Sequence, residues 1–281
     1  MSALPVHKTS PRRGAATATA LLAVFIALGG CKSTGDVTGS IAYSEAPLPA
    51  SQGELRAFAE GWGKRFDANP NDKSAAINYA RALRALTRYP EAAAVMRQIA
   101  ITNPNDLEVL GNYGKALADA GRFAEAAQVL ENAHTQERPN WSILSAQGSV
   151  ADQIGDHERA QSYYHAALKI VPGEPSVLSN LGLSYALAKQ LPLAERTLRQ
   201  AASHPAADGR VRQNLALVLS LQGKFAEAEQ IASRDLPPAE AAQNVATIRR
   251  MTAQTNTWRE LQALEADRKS TRLNSSHIPL S

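Results

Sequence analysis

Small and apolar residues recur at a fixed interval of 34 positions along most of the chain. With repeats that begin at Lys73, Leu107, Trp141, Pro175 and Gly209, the eighth position always holds Ala or Gly and the twentieth always holds Ala. These small residues are Ala80, Gly114, Gly148, Gly182 and Ala216 at the eighth position, and Ala92, Ala126, Ala160, Ala194 and Ala228 at the twentieth. Two small side chains at fixed places allow the two helices of a hairpin to approach closely. The pattern therefore predicts five helical hairpins in residues 73–242.

Turn residues and two irregular positions add detail to this pattern. Gly121, Gly155 and Gly223 lie between the two helices of their hairpins, where glycine supplies a left-handed helix end. Polar residues interrupt the apolar positions twice, at Gln147 in the third repeat and Arg212 in the fifth. We expect these two repeats to be less regular than the others.

Amphipathic segments flank the five hairpins on both sides. Before them, Leu55, Phe58, Trp62 and Phe66 have helical spacing, which predicts an N-terminal capping helix in residues 53–72. After them, residues 239–253 and 258–264 have similar spacing, and we expect capping helices in residues 243–266 to close the last hydrophobic face.

The spacing of these alanines, glycines and turn residues resembles the tetratricopeptide repeat (TPR) family over residues 73–242, with no insertion. The resemblance implies an all-α fold, a right-handed superhelix of about five helix-turn-helix repeats with partial capping helices at both ends. In that family the first helices of the repeats line a concave groove, which receives an extended peptide or a helix of a partner protein.

The resemblance also implies which side chains face the groove. The candidate protein-binding residues are Arg81, Arg84, Lys115, Asp119, Ser149, Asp152, Leu183, Leu187, Leu217 and Leu221. The predicted groove thus changes from charged in the first repeats to apolar in the last two, which favours an amphipathic or partly acidic partner segment. Alternatively, the four leucines pack on neighbouring helices.

Asparagine occupies the sixth position of four repeats, as Asn78, Asn112, Asn180 and Asn214. We interpret these residues as hydrogen-bonding side chains between adjacent hairpins rather than as ligand contacts. Chaperone-binding members of the family hold a terminal carboxylate with asparagine at the ninth position instead. That function is unsupported here, because the ninth position of the five repeats carries Arg, Lys, Ser, Leu and Leu.

The N-terminus has the layout of a secretory signal. Lys8, Arg12 and Arg13 precede an apolar run over residues 21–28, and Leu28-Gly29-Gly30-Cys31 resembles a bacterial lipobox. We expect residues 1–30 to be a lipoprotein signal peptide, Cys31 to be lipidated, and residues 31–52 to form a flexible tether. The alternative is an ordinary signal peptide followed by an incidental cysteine.

Lys32, which follows the cysteine, does not meet the family rule that aspartate at this place retains a lipoprotein in the inner membrane. The resemblance therefore implies a protein that is anchored in the outer membrane by lipid and faces the periplasm.

The C-terminal sequence calls for a different interpretation. Residues 267–277 match one reading frame of a common DNA-sequencing adapter, and our hypothesis is that residues 267–281 are read-through rather than native sequence. The alternative is an authentic basic tail.

The formal charge of +4 does not predict nucleic-acid binding, because residues 1–30 carry +3 and residues 267–281 carry +2. Residues 31–266 are left with a net charge of −1. No metalloprotease motif, nucleophile elbow or phosphate loop occurs, and the six histidines are scattered. We therefore expect no catalysis, metal or cofactor, and protein partners instead.

Among TPR lipoproteins, the chain resembles the TadD family of the tight-adherence (Flp) pilus machinery. The tether residues 35–41 and the segment 256–261 contribute to this likeness. The resemblance implies pilotin-like help to the pilus secretin or to other pilus-assembly components. The alternatives are a scaffold for general outer-membrane or cell-wall assembly complexes, and a regulatory subunit of an envelope enzyme.

Overall fold

The computed structural model describes residues 46–254, and within that range the chain consists of helices and short connections. The helices are α1 (Gln52–Ala68), α2 (Lys73–Ala85), α3 (Tyr89–Thr102), α4 (Leu107–Asp119), α5 (Phe123–Glu131), α6 (Trp141–Gln153), α7 (His157–Ile170), α8 (Pro175–Leu187), α9 (Leu191–Ser203), α10 (Gly209–Leu221) and α11 (Phe225–Ala232). Residues 238–254 form a further helix, α12. The first helix of each hairpin begins at the residue that the repeat pattern gives as its start.

A capping side chain stands immediately before the first helix of every repeat. Its oxygen accepts a hydrogen bond from main-chain N–H groups that the helix itself leaves unpaired. These capping residues are Asp72, Asp106, Asn140, Glu174 and Asp208. The caps follow the same 34-residue interval, so the start of each repeat is fixed by local chemistry as well as by packing.

A residue with positive φ separates the two helices of every hairpin. Glycine takes this place at Gly121, Gly155 and Gly223, whereas Thr87 and Lys189 adopt it with φ of 59° and 62°. The left-handed conformation is unfavourable for residues with a Cβ atom. The first and fourth hairpins therefore carry local backbone strain that the other three avoid.

The helices pack only with near neighbours along the chain. Each of the helices α2, α4, α6 and α8 contacts the next first helix, which for α8 is α10. Helices α3, α5, α7 and α9 each contact the first helices on either side, and α11 contacts α10. The first helices thus form one continuous wall of a solenoid and the second helices form the other. This arrangement confirms the predicted TPR superhelix.

The small residues lie where the two helices of a hairpin approach most closely. A Cβ atom on Gly114 would lie 2.5 Å from Cγ of Leu130, and one on Gly148 would lie 2.6 Å from Cε1 of Tyr164. At Gly182 the corresponding distance to Cγ of Leu198 is 2.6 Å. The five alanines at the twentieth position have no exposed surface. The packing role predicted for these positions is therefore confirmed.

The two shortest second helices are α5 of the second repeat, with 9 residues, and α11 of the fifth repeat, with 8. The fifth repeat is therefore irregular as expected, whereas the expectation for the third repeat is wrong, because its helices have 13 and 14 residues. Gln147 hydrogen-bonds His134, in the loop after α5, with 3.1 Å between Oε1 and Nε2. Arg212 donates from Nε to Oδ2 of Asp235 at 2.7 Å, and Asp235 follows α11. Each polar side chain thus binds the irregular segment that takes the place of missing helical turns.

Both ends of the array are covered. At the C-terminus, α12 buries Ala241, Val245 and Ile248, and the guanidinium of Arg249 lies 5.4 Å from the ring centroid of Phe225. At the N-terminus, α1 packs on α2, and residues 46–50 lie beside them. The chain is thus already held at residue 46, whereas the sequence assigns residues 31–52 to a flexible tether.

Several predictions concern residues outside the described range of 46–254. These are the signal peptide (1–30), the lipidated Cys31, most of the tether, the second C-terminal capping segment (258–264) and the adapter-like residues 267–281. Among the helices within residues 46–254, none combines the length and the apolar character that crossing a membrane requires.

Candidate functional site

The wall built by the first helices carries the ten predicted groove residues. Two of them form a pair, because Nε of Arg84 donates to Oδ2 of Asp119 at 2.6 Å across the first and second repeats. Both side chains keep about a third or less of their surface exposed, 26% for Arg84 and 33% for Asp119. This end of the wall therefore presents a largely compensated ion pair rather than two separate charges.

Two further cations on this wall hold parts of the same chain. Nζ of Lys115 donates to Oγ of Ser142 at 2.7 Å, which joins the second and third repeats. Nη1 of Arg81 donates to the main-chain oxygen of Ala46 at 2.9 Å, in the segment before α1. Ser149 is exposed on the same wall.

Asp152 lies inside the protein rather than on the groove surface. Its side chain is only 7% exposed, and its two carboxylate oxygens receive three hydrogen bonds. Oδ1 accepts from Nδ1 of His157 at 2.9 Å and from Oγ of Ser184 at 2.8 Å, and Oδ2 accepts from the hydroxyl of Tyr164 at 3.1 Å. The expectation of a partner-facing carboxylate is corrected here, because the side chain is saturated by contacts that join the third and fourth repeats.

The cluster contains aspartate, histidine and serine, but its geometry differs from that of a nucleophilic triad. A triad requires the serine hydroxyl to donate to the histidine, and Ser184 donates to Asp152 instead. Ser184 is also completely buried. Burial and the adjacent Asp152 carboxylate raise the pKa of Tyr164, so its hydroxyl remains a neutral donor. The cluster therefore acts as a structural link between repeats.

The four predicted groove leucines occupy neighbouring helices and share one environment. Leu183 and Leu187 lie on α8, Leu217 and Leu221 lie on α10, and all four side chains are half-buried. Helices α8 and α10 contact each other directly. The C-terminal half of the wall therefore exposes apolar surface that is neither sealed in the core nor fully solvated.

Two of the four sixth-position asparagines join adjacent hairpins as predicted, and the other two do not. Nδ2 of Asn180 donates to Oγ of Ser145 at 3.2 Å, and Nδ2 of Asn214 donates to Oγ of Ser179 at 2.9 Å. These two bonds join adjacent hairpins, as predicted. Asn112 bonds the Glu108 carbonyl of its own helix.

Asn78 has a different role from the other asparagines, and sequence reasoning missed it. It is fully buried, and its Oδ1 accepts a hydrogen bond from the main-chain N–H of Ala46 at 3.1 Å. Together with Arg81 it therefore holds both main-chain polar groups of Ala46. The prolines on either side of Leu48, which favour an extended chain, are the signal that sequence reasoning had available.

An ion pair that links the first two repeats was also missed. Nζ of Lys73 lies 2.9 Å from Oδ2 of Asp106 and 3.0 Å from Oε2 of Glu108. The hydrogen bond to Asp106 raises the pKa of Lys73.

In the described part of the chain, no group of three or more His, Cys, Asp or Glu side chains is arranged to hold a metal ion.

A second ion network lies on the outer wall, between α9 and α11. Oε2 of Glu195 lies 2.6 Å from Nζ of Lys224, and Oε1 lies 2.7 Å from Nη2 of Arg199. Arg199 also binds Glu227 at 2.7 Å. The hydrogen bond from Lys224, aided by the one from Arg199, lowers the pKa of Glu195 to about 2. This network fastens the fourth hairpin to the fifth.

Solved structures share the fold of this chain. PilW, described as a widely conserved type IV pilus biogenesis factor, has a TM-score of 0.57 at 21% identity, covering 69% of this chain and 91% of PilW. PilF of Pseudomonas aeruginosa has a TM-score of 0.50 at 19% identity, covering 70% of this chain and 90% of PilF. The Cut9–Hcn1 hetero-tetramer of the APC/C has a TM-score of 0.58 at 14% identity, with 73% of this chain and 40% of that chain covered. At such identities the likeness shows the fold alone.

Sequence comparison gives the family. No curated protein matches the chain in sequence. A tetratricopeptide repeat profile matches residues 77–140 and 145–210, and a second profile of the same description matches residues 209–234. These matches span more than half of the sequence, and the chain belongs to the tetratricopeptide repeat family.

Proposed function

We propose that this protein is a non-catalytic scaffold of the bacterial cell envelope, anchored in the outer membrane through Cys31, that helps a Flp/Tad-type pilus to assemble. The observation that carries the binding part of the proposal is the apolar surface of α8 and α10. There Leu183, Leu187, Leu217 and Leu221 are half-buried on two adjoining helices. Such a strip suits the apolar face of a partner's helix or the side chains of an extended peptide.

The charged residues at the N-terminal end of the wall already have partners within the chain, which favours the leucines as the main contacts of a partner protein. At the N-terminal end of the wall Arg84 and Asp119 compensate each other, and Lys115 reaches the next repeat. The strongest contacts of a partner are therefore expected at the leucines, with polar contacts near Ser149. Loss of one leucine contact is expected to act mainly on the dissociation rate, whereas changes of charged residues at the rim act on the association rate.

The pilus assignment rests on the resemblance to TadD lipoproteins, and the description of PilW as a type IV pilus biogenesis factor agrees with it. The lipid anchor rests on the lipobox-like sequence that ends at Cys31. Metabolic labelling with a radioactive fatty acid tests the anchor directly. The wild-type protein should carry label and fractionate with the outer membrane, and Cys31→Ser should lose both properties.

Photo-crosslinking in living cells tests the groove and identifies the partner. A photoreactive residue in place of Leu183 or Leu217 should capture a pilus secretin or another pilus-assembly protein. Capture of an outer-membrane assembly barrel, or of a peptidoglycan enzyme, would contradict the pilus assignment in favour of one of the alternatives.

Paired substitutions test whether the leucine strip itself binds. Leu183→Ser together with Leu217→Ser should weaken partner retention at least about tenfold, which corresponds to about 1.4 kcal/mol. The matched control is Ile101→Ser together with Ile170→Ser, because these isoleucines are 74% and 39% exposed on α3 and α7, outside the wall of first helices. Equal retention by both variants would refute the groove, provided that their helical content is unchanged.

A further inference from the structure

The segment before α1 has a sequence that enforces an extended conformation. It reads Ala46-Pro47-Leu48-Pro49, and each proline fixes its own φ and disfavours the helical region for the residue before it. Neither Ala46 nor Leu48 can therefore readily enter a helix. We call residues 46–49 the strap.

The strap is held through its main chain. The N–H of Ala46 donates to Oδ1 of Asn78 at 3.1 Å, and Nη1 of Arg81 donates to the carbonyl oxygen of Ala46 at 2.9 Å. Arg81 and Asn78 are themselves 3.3 Å apart between Nη1 and Oδ1, so the two side chains form one clamp. A clamp on both main-chain groups of one residue recognises an extended backbone, since a residue in mid-helix has these groups already paired.

The side chain of Leu48 supplies the second anchor. It packs against a small apolar cluster between α1 and α2, which contains the buried Leu55, Ala59 and Ala82. Phe58 and Tyr79 border the same cluster. An aromatic-lined cleft that accepts one apolar side chain of an extended proline-containing segment is a known mode of peptide recognition.

The hydrogen bonds made at the sixth repeat position differ between α2 and the later first helices α8 and α10. Asn180 and Asn214, at the same repeat position as Asn78, donate to serine hydroxyls on the preceding first helix. Asn78 instead accepts from a main-chain N–H, and an arginine beside it binds the carbonyl. Asn78 and Arg81 thus bind an extended main chain, whereas Asn180 and Asn214 bind side chains of a neighbouring helix.

We propose that the cleft between α1 and α2 is a binding site for an extended Ala-Pro-Leu-Pro-type segment, that the strap fills it within the same chain, and that a partner protein carrying such a segment displaces the strap. The described contacts of the strap are the two hydrogen bonds of Ala46 and the packing of Leu48, and Pro47 is exposed. Its release leaves the helical hairpins intact, so the exchange is a local event. This site is separate from the leucine strip, and failure of one does not imply failure of the other.

Binding of a labelled peptide to the full chain tests the proposal. The probe is a fluorescent peptide of residues 44–50, and the variant Leu48→Asp releases the strap from its cleft. Wild-type protein should bind the probe at least about tenfold more weakly than Leu48→Asp, because its own strap competes at high effective concentration. The control Ala50→Asp adds the same charge at an exposed neighbouring residue and should behave like wild type.

Two further measurements tie the binding to the clamp. Adding Arg81→Leu to Leu48→Asp should weaken probe binding at least about tenfold. A probe with serine in place of its leucine should bind Leu48→Asp no more tightly than the unmodified probe binds this double variant. In the wild-type protein the Ala46 amide should exchange with solvent measurably more slowly than in Leu48→Asp.

The proposal would be overturned if Leu48→Asp showed no saturable binding of the probe while retaining wild-type helical content. Equal exchange rates of the Ala46 amide in both proteins would overturn it as well. A Leu48-dependent dimer of the wild-type chain would replace it with strap exchange between two copies.

Discussion

Gly182 offers a test of helix packing, because the effect of Gly182→Ala on the free energy of unfolding should reverse its sign when Leu198 is replaced by alanine. A Cβ atom at this position would lie 2.6 Å from Cγ of Leu198 and 3.1 and 3.2 Å from its Cδ atoms. Leu198 is fully buried, and buried side chains are closely packed in protein interiors. Overpacking costs about 1–3 kcal/mol, whereas replacing glycine by alanine inside a helix contributes about 1 kcal/mol. Gly182→Ala should therefore lower the free energy of unfolding by about 1 kcal/mol.

Removal of the neighbouring side chain should reverse this effect. Leu198→Ala alone costs about 2–5 kcal/mol, because it leaves a cavity in the core. In that background the new methyl group of Gly182→Ala enters empty space, and only the helix propensity gain of about 1 kcal/mol remains. Alanine already stands at both corresponding positions of the fifth repeat, at Ala216 and Ala232. The coupling free energy between the two sites should thus be about 2 kcal/mol.

Urea unfolding followed by far-ultraviolet circular dichroism measures all four members of this cycle. Gly61→Ala is the matched control, because a Cβ atom at that exposed position in α1 would meet no atom within 4 Å. It should raise the free energy of unfolding by about 1 kcal/mol. If Gly182→Ala stabilised the wild-type protein as much as Gly61→Ala does, or if the cycle were additive, the close approach of α8 and α9 would be refuted.

Three further substitutions test a turn, an irregular repeat and the outer ion network. Thr87→Gly should raise the melting temperature, with a gain of about 0.5–1 kcal/mol, because glycine relieves the strain of φ 59°. Asp235→Ala should lower the free energy of unfolding in urea by about 2 kcal/mol, since Arg212 loses two charge-assisted hydrogen bonds. Glu195→Gln should destabilise the protein at neutral pH in a pH series of urea unfolding. That difference should shrink as the pH falls from about 4.5 to about 2, because Lys224 lowers the pKa of Glu195 in the folded state only.

A second variant or a second measurement provides a control for each of these three substitutions. Lys189→Gly should reproduce the gain of Thr87→Gly, and a loss in both would refute strain at the turn. Arg210→Ala breaks a pair in which the arginine is 69% exposed and should change stability by at most about 0.5 kcal/mol. An effect of Glu195→Gln that stayed constant across the acid range would show that the ion pairs contribute nothing to folding.

The regular part of the fold follows from sequence because its signals are local and repeated. The starts of α2, α4, α6, α8 and α10 coincide with the predicted repeat starts, since capping residues and small packing residues recur there. The short α5 was not predicted, because its end depends on His134 and Gln147 meeting across a loop. The strap was assigned to the tether for the same reason, since its partners Asn78 and Arg81 lie more than 30 residues away.

The candidate site was predicted less completely than the fold. All ten candidate residues lie on first helices, and the four leucines among them are half-buried. Repeat position gave no information on which polar side chains would find partners within the chain. Asp152 is the clearest case, because its burial depends on Ser184 in the next repeat and on Tyr164 in the following helix.

The restriction of helix contacts to near neighbours determines how the molecule should come apart. The bonds that join hairpins span about one repeat, such as the 32 residues between Asp152 and Ser184. Folding can therefore begin in any hairpin and spread along the chain, and it requires no closure of long loops. The weakest junction is expected after the short α5, so heating should separate the array into a block that ends with α5 and a block that begins with α6. Hydrogen exchange would then report a gradient of opening energies rather than one cooperative value.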